Sequence, residues 1–132
     1  MKKIVLFLVF SLLVSCKQSI TEADLQNLNG YWEIEKVMLP DGEKKEYKIN
    51  ETVDFFKVED KKGFRKKVMP QVDGTYLTND SEEDITIFVK DGDATIRYKT
   101  NYANWDESII KLTAEKLVLK NKQELEYHYK RP

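Results

Sequence analysis

Cysteine and histidine are almost absent from this sequence, which holds one of each in 132 residues, at Cys16 and His128. A single cysteine allows no disulfide framework and no cysteine-based metal site. A single histidine would leave zinc to carboxylate ligands and gives general-base chemistry little support. Neither a glycine-rich phosphate loop nor a nucleophile elbow is present. The sequence therefore predicts a protein that is not an enzyme and that takes no metal and no cofactor.

Proline, glycine and an excess of basic charge are also scarce. Three prolines and five glycines exclude a low-complexity or linker-rich chain. The 22 lysines and arginines are balanced by 23 aspartates and glutamates. Such a mildly acidic chain lacks the basic face that a nucleic-acid partner requires. We expect a soluble, highly charged surface and no nucleic acid among the partners.

The longest apolar run of the chain lies at its start. Lys2 and Lys3 precede the apolar residues 4–14, and the run ends at Ser15 and Cys16. A charged start followed by an apolar core of this length is typical of a cleaved secretory signal peptide, and it is short for a membrane span. The tetrad Leu13-Val14-Ser15-Cys16 resembles a bacterial lipobox, in which the cysteine receives a diacylglyceryl group and becomes the first residue. Residues 1–15 are therefore predicted to be a signal peptide and Cys16 to be lipidated.

The resemblance to a lipobox also implies a location. Several acyl chains on Cys16 would hold the protein stably at a membrane. Lys17 stands where an aspartate often signals inner-membrane retention, so we expect the outer membrane. Since no acidic run follows Cys16, the periplasmic face is favoured over the cell surface. The remaining 132 − 15 = 117 residues suffice for one domain, which we expect to be monomeric.

Residues 16–29 are predicted to form a lipid-anchored tether that contains a short helix. Thr21 is a suitable N-cap, and Glu22 and Asp24 place acidic side chains in the first turn. Leu25 and Leu28 fall on one face of this helix, and Gly30 can end it. We expect the two leucines to pack on the domain that follows.

From Gly30 onward the hydrophobic period is two, as in antiparallel strands with one dry and one wet face. Ile85, Ile87 and Val89, for example, alternate with more polar positions. Turn signals such as Asp41-Gly42, Lys62-Gly63 and Asp91-Gly92 separate the strands. The predicted strands span residues 31–39, 44–49, 52–59, 64–69, 74–78, 84–90, 93–100, 107–113, 116–120 and 124–131. This pattern predicts an all-β, antiparallel, up-and-down barrel, with a β-sandwich as the alternative.

Several of these residues resemble a known family. The sequence Gly30-Tyr31-Trp32 is similar to the Gly-x-Trp entry of the lipocalins, where a short helix leads into the first barrel strand. Together with the lipobox, the length and the meander pattern, it resembles the lipocalin-like domain of small bacterial lipoproteins. The resemblance implies a barrel over residues 30–132 and non-enzymatic binding of a small apolar or amphipathic ligand. It also implies that Trp32 is a structural anchor at the closed end, with a cation stacked on it, for which Arg131 is the best match.

Aromatic residues are the candidates for contact with a ligand. A barrel of about eight strands has an interior that either fills with side chains or holds one small ligand. Tyrosine and tryptophan offer an apolar face and a polar tip, which suits an amphipathic guest. We therefore predict ligand contacts for Tyr98, Trp105, Tyr127 and Tyr129. The alternative is a filled barrel that acts as an envelope protein-interaction or structural module.

Three other features have simpler explanations. The acidic segments 80–84 and 91–93 could supply oxygen ligands to calcium, but a solvated loop and a hairpin turn explain them better. The basic segment 61–67 could contact anionic lipid, although lysines at a turn and on a strand edge are ordinary. His128 is expected on the wet face of the last strand.

Overall fold

The structure is a computed structural model that describes residues 17–79 and 81–132. The predicted signal peptide and the lipidation of Cys16 therefore lie outside the described residues. Within the described part, no helix is both long and apolar enough to cross a membrane.

The described residues form one short 3-10 helix, Glu22–Leu28, followed by ten strands. The strands are β1 (Gly30–Met38), β2 (Lys44–Glu46), β3 (Val53–Glu59), β4 (Lys62–Pro70), β5 (Tyr76–Thr78), β6 (Glu83–Lys90), β7 (Asp93–Lys99), β8 (Asn104–Leu112), β9 (Lys116–Lys120) and β10 (Glu126–Lys130). Each corresponds to one of the ten predicted strands. The all-β class and the N-terminal helix are thus confirmed.

Eight of these strands close into an antiparallel barrel within residues 17–79 and 81–132. The order β1-β3-β4-β6-β7-β8-β9-β10 returns to its beginning because β10 pairs with β1. The two short strands lie outside this circle, with β2 on β1 and β5 on β4. Because β10 pairs with β1, the sheet is an up-and-down barrel and not a sandwich.

One end of the barrel is covered by the chain that precedes it, and we call this the closed end. The buried Leu25 and Leu28 of the 3-10 helix pack into the core, as predicted. Further upstream, the amide of Gln18 donates to the carbonyl of Ile110, and its side chain bonds both the amide and the carbonyl of Leu112. Ile20 is buried, and its amide donates to the carbonyl of Gly92. The chain is therefore attached to the closed end almost from the first described residue.

The apolar core fills the interior of the barrel. It is built from side chains at alternate positions of the strands, together with Ile20, Leu25 and Leu28. Its largest fully buried members are Trp32, Tyr98 and Phe56. Because residues 17–132 contain the barrel, its core and the segment that covers its closed end, a chain that starts at Lys17 keeps every contact described here.

One turn differs from its prediction. Lys62 and Gly63 were expected to form the turn before β4, but they belong to the strand itself. The turn is made by Asp60 and Lys61, whose φ angles are +52° and +66°. Two consecutive left-handed residues form the tight hairpin turn that matches the twist of antiparallel strands. The turn was predicted two residues too late, because Gly63 lies just after the turn and not within it.

Candidate ligand-binding site

The closed end is held by a contact between Trp32 of β1 and Arg131, which follows β10. The guanidinium carbon lies 3.6 Å from the centre of the indole ring. The same guanidinium donates to four carbonyl oxygens, those of Asn27, Asn29, Tyr31 and Ala114. On the indole, Nε1 donates to the carbonyl of Leu28 at 2.8 Å. The two residues predicted as a structural pair therefore join the helix, the first strand and the last strand.

Gly30 makes this arrangement possible. Its φ of +110° lies in the region that favours glycine, and a Cβ there would stand 3.1 Å from Nη1 of Arg131. A larger residue would therefore strain the backbone and press on the guanidinium. This explains in physical terms why a glycine stands two residues before Trp32.

A pocket of about 420 Å³ lies at the opposite, open end of the barrel, where β1 ends and β3 begins. We call it the mouth pocket. Its apolar lining is contributed by β1, the loop before β3, β3 itself and β10, through Trp32, Ile34, Val37, Tyr47, Ile49, Val53, Tyr127 and Tyr129. Ligand pockets of this size, mostly apolar with a few polar groups, are common in proteins that bind small molecules.

The polar lining of the mouth pocket is small and mostly charged. It consists of Asn50, Glu51, Thr52, Asp54 and Lys67. Asp54 is only 3% exposed, and its carboxylate accepts a hydrogen bond from Nζ of Lys67 at 2.8 Å. The Lys67 side chain is 70% exposed, so it reaches this buried carboxylate from the rim. Asp54 is thus a buried acidic side chain that Lys67 reaches from the rim and that also interacts with Arg65 and Tyr129.

The four aromatic residues predicted to contact a ligand divide into two pairs. Tyr127 and Tyr129 of β10 line the mouth pocket. Tyr98 and Trp105 are not among its lining residues; they stack on each other with ring centres 5.2 Å apart. Tyr98 is completely buried, whereas Trp105 is partly exposed. The structure brings one pair to the pocket and places the other in the packed interior, and ligand contact stays a prediction for all four.

A charged cluster lies in the barrel interior beside the mouth pocket. The side chain of Arg65 on β4 is 13% exposed, and its Nε is 2.5 Å from a carboxylate oxygen of Glu83. Its guanidinium carbon lies 4.2 Å from the centre of the Tyr98 ring, and Nη1 is 3.9 Å from Oε1 of Glu107. Among the described side chains, the buried hydroxyl of Tyr98 and Oε1 of Glu107 make no hydrogen bond of good geometry, although the two groups are close enough to shift each other's pKa. Such groups are costly to bury, so this cluster is a candidate for function as well as for structure.

Burial and mutual repulsion shift the pKa values of this cluster. Desolvation raises the pKa of Glu107, while Tyr98 and the Arg65 guanidinium oppose the rise. Desolvation also raises the pKa of Tyr129 well above the usual tyrosine value, and the nearby Asp54 carboxylate raises it further. Despite its burial, the pKa of Arg65 is raised by Tyr98, Glu83 and Asp54, so it stays charged. The interior thus combines one permanently charged guanidinium, that of Arg65, with several acidic side chains.

Sequence reasoning missed Asp54, Lys67, Arg65 and Glu107 as interior residues. In most strands polar and apolar residues alternate, so the apolar positions identify the inward face. In β4, however, positions 65–67 are all basic, so the sequence alone does not show which of them point inward. The register reveals it, because Arg65 pairs with the buried Phe56. The apolar Phe64 instead contacts Phe55 on the outside of the barrel, at 6.1 Å between ring centres.

The remaining candidates are explained by ordinary structure. Within segment 61–67, Lys61 pairs with Glu22, and the inward Arg65 and Lys67 face carboxylates. Asp91 and Gly92 form the hairpin turn between β6 and β7. On β10, Nε2 of His128 lies 3.1 Å from Glu126. In the described part of the chain, no group of three or more His, Cys, Asp or Glu side chains is placed to hold a metal ion.

Comparison with known proteins supports the interpretation of the fold. A family model described as a lipocalin-like domain matches residues 28–119. The chain belongs to the lipocalin-like domain family. The matched region begins at the end of the 3-10 helix and reaches β9, so it includes the Gly30-Tyr31-Trp32 entry and most of this lipocalin-like barrel.

Two solved structures share this lipocalin-like fold. One is a lipocalin-like protein from Bacteroides uniformis, with a TM-score of 0.50 and 12% sequence identity. The other is an uncharacterized protein from Bacteroides eggerthii, with a TM-score of 0.50 and 13% identity. Each match covers 80% of this chain and 99% of the other. At this identity the likeness concerns the fold alone. No curated protein sequence matches the chain.

Proposed function

We propose that this protein is a membrane-anchored lipoprotein whose barrel binds a small apolar or amphipathic molecule in the mouth pocket, without catalysis. The observation that carries the proposal is the mouth pocket itself. Its volume of about 420 Å³ suits a small ligand, and its wall combines aromatic and aliphatic side chains with a few charged groups. The fully buried Trp32 forms part of this wall.

The expected affinity is modest. Burial of apolar ligand surface contributes roughly 25 cal/mol per Å², which amounts to several kcal/mol for a molecule of a dozen carbons. Loss of translational and rotational freedom offsets a large part of this gain. Without specific polar contacts we expect a Kd in the micromolar range at best.

Titration with a neutral fluorescent apolar probe, N-phenyl-1-naphthylamine, tests the proposal. The chain starting at Lys17 is expected to give a saturable signal. Tyr127→Ala should weaken it at least fivefold, because Tyr127 lines the mouth pocket. Phe88→Ala is the matched control, since Phe88 lies on the outer wall and is 47% exposed. Absence of a saturable signal in the unchanged chain would contradict binding, and equal losses in both variants would place the probe elsewhere.

The predicted anchor fits the position of the N-terminal segment. Lys17, the residue after Cys16, lies at the closed end, where its Nζ is 2.6 Å from Asp93. A lipid on Cys16 would therefore be attached at the closed end and leave the mouth pocket directed away from the membrane. We expect the outer membrane and its periplasmic face, so protease added to intact cells should leave the barrel uncut. Removal of the barrel by that treatment would place it on the cell surface.

A second candidate function is that of a protein-interaction module in the cell envelope. The observation that favours it is a set of exposed apolar side chains on loops and short strands at the open end, namely Leu39, Ile49, Met69, Val72, Leu77 and Tyr102. Exposed apolar clusters often mark interaction surfaces. A photo-crosslinker at position 72 that captures a partner in cells, while one at position 88 does not, would favour this function, above all if no probe binds the pocket.

A further inference from the structure

The charge on the wall of the mouth pocket is unevenly distributed. The lining includes two acidic residues, the exposed Glu51 and the buried Asp54, and one lysine, Lys67, while the buried Arg65 behind the wall also acts on Asp54. The Asp54 side chain is 4% exposed whereas that of Lys67 is 70% exposed. A cationic ligand could therefore take the place of the Lys67 ammonium at Asp54, and the displaced ammonium would return to water at little cost. An anionic ligand would find its one possible lysine partner already bound to a carboxylate.

The aromatic lining favours a cation as well. The faces of tyrosine and tryptophan rings attract positive charge. One ring that lines the pocket already has a cation against it, since Nζ of Lys45 lies 5.3 Å from the centre of the Tyr47 ring. Tyr127 and Tyr129 supply two further rings from β10, where they pair with Val37 and Ile34 of β1. Rings placed around a buried carboxylate are a suitable environment for an ammonium group.

The interior cluster behind this wall adds negative charge. Glu107 acts on both tyrosines, and its carboxylate raises the pKa of Tyr127 and of Tyr129 beyond the rise that burial causes. Arg65 opposes this effect at Tyr129 but is itself paired with Glu83. The buried Tyr98 and Glu107 interact with each other, although neither the Tyr98 hydroxyl nor Oε1 of Glu107 makes a hydrogen bond of good geometry among the described residues. The interior cluster therefore adds an acidic group close to the two pocket tyrosines.

We infer that the mouth pocket selects an amphipathic cation, whose ammonium group binds the carboxylate of Asp54 in place of Lys67. Its hydrocarbon chain packs on Ile34, Val37 and Val53. This inference rests on the proposed binding function and specifies its ligand class.

Calorimetric titration with three ligands of equal chain length tests the inference: decylammonium, decanol and decanoate, each below its micelle concentration at pH 7. For the chain starting at Lys17 we expect decylammonium to bind at least tenfold more tightly than decanol, and decanoate to bind most weakly. Asp54→Asn should abolish the preference for decylammonium over decanol. Asp106→Asn is the matched control, because Asp106 is the carboxylate of an Arg97 pair outside the pocket lining.

Lys67→Met gives a test of opposite sign that does not depend on Asp54→Asn being stable. Removal of the competing ammonium should tighten decylammonium binding several-fold, whereas a merely weakened fold would loosen all three ligands. Equal binding of the three ligands, or tighter binding of decanoate, would overturn the cation preference and leave the binding function intact. If none of the three binds, both the binding function and its ligand class are wrong.

Discussion

The guanidinium group of Arg131 lies over the indole ring of Trp32, with 3.6 Å between its central carbon and the ring centre. The two residues are nearly a hundred positions apart, yet this contact joins the two strands that close the barrel. The guanidinium also donates to the backbone carbonyls of Asn27, Tyr31 and Ala114. The closure of the barrel and the cover of its closed end therefore depend on the same pair.

Trp32→Ala is expected to lower stability strongly. The residue is fully buried, and truncation of such a side chain costs about 3–5 kcal/mol. At roughly 4 °C per kcal/mol for a domain of this size, the Tm should fall by about 12–20 °C. Trp32→Phe is the control, because it keeps an aromatic ring but loses the hydrogen bond to the Leu28 carbonyl. Its Tm should fall less than that of Trp32→Ala. If Trp32→Ala has the same Tm as the unchanged protein, Trp32 is not the anchor.

Arg131→Ala is expected to cost more than its stacking on Trp32 alone. Cation–π contact contributes about 0.5–2 kcal/mol, and a hydrogen bond to a charged group about 1.5–3 kcal/mol. The free energy of unfolding measured by urea denaturation should therefore fall by about 2–5 kcal/mol. Arg131→Lys keeps the charge but cannot reach four carbonyls, so it should recover less than half of the loss. Full recovery by lysine would mean that charge alone matters.

Arg65 and Arg97 offer a comparison between a buried and an exposed ion pair. Their side chains are 13% and 55% exposed, and each pairs with a carboxylate. Removal of one partner from a buried pair typically costs about 3–5 kcal/mol, whereas water and salt screen an exposed pair so that it contributes little. Arg65→Ala should therefore destabilise the barrel severely and Arg97→Ala hardly at all, as measured by urea denaturation. Similar losses in the two variants would contradict the burial of Arg65.

Glu107→Gln is expected to stabilise the protein at neutral pH. Because burial raises the pKa of Glu107, the folded state binds its proton more tightly than the unfolded state does. Stability from this group is therefore lost as the pH rises from the ordinary glutamate pKa through the raised one. The charged and titratable groups around it are Arg65, Glu83, Asp54, Tyr98, Tyr127 and Tyr129. In melting curves from pH 4 to pH 8, the Tm of Glu107→Gln should exceed that of the unchanged protein by an amount that grows with pH.

Asp106→Asn supplies the control of opposite sign. The hydrogen bond from Arg97 lowers the pKa of Asp106, so its contribution to stability is present at neutral pH and is lost as the pH falls. The Asp106 variant should melt slightly below the unchanged protein at pH 7 and equal it at low pH. If the Tm differences of Glu107→Gln and Asp106→Asn from the unchanged protein have the same sign at pH 7, the raised pKa is wrongly assigned to Glu107.

Cys16→Ser is expected to abolish lipidation. Growth with a labelled fatty acid should mark the unchanged protein and leave the variant unmarked, because the thiol is the predicted acceptor. The variant should also leave the membrane fraction, since the acyl chains are its predicted attachment. Equal labelling of both proteins would contradict the lipobox interpretation.

Local patterns in the sequence determined much of the fold. Period-two alternation and turn residues were enough to place ten strands, because each strand buries one face and each hairpin needs a few permissive residues. Leu25 and Leu28 on one face of the helix predicted its packing. These patterns are local, so a single sequence can reveal them. The pairing of Trp32 with Arg131 is not local, and it was predicted only because Gly30-Tyr31-Trp32 resembles the lipocalin entry.

Tertiary structure decided which inward residues line a pocket and which fill the core. Tyr98 and Tyr129 occupy equivalent inward positions in the alternation, yet Tyr98 stacks in the interior while Tyr129 borders the mouth pocket. Alternation fixes the face of a strand but not the space opposite it, which depends on residues far away in the chain. The charged residues Asp54 and Arg65 point inward although they are polar, because the strand register and not hydropathy sets the direction of their side chains. Only closure of the barrel supplies the partners that reduce the cost of burying them.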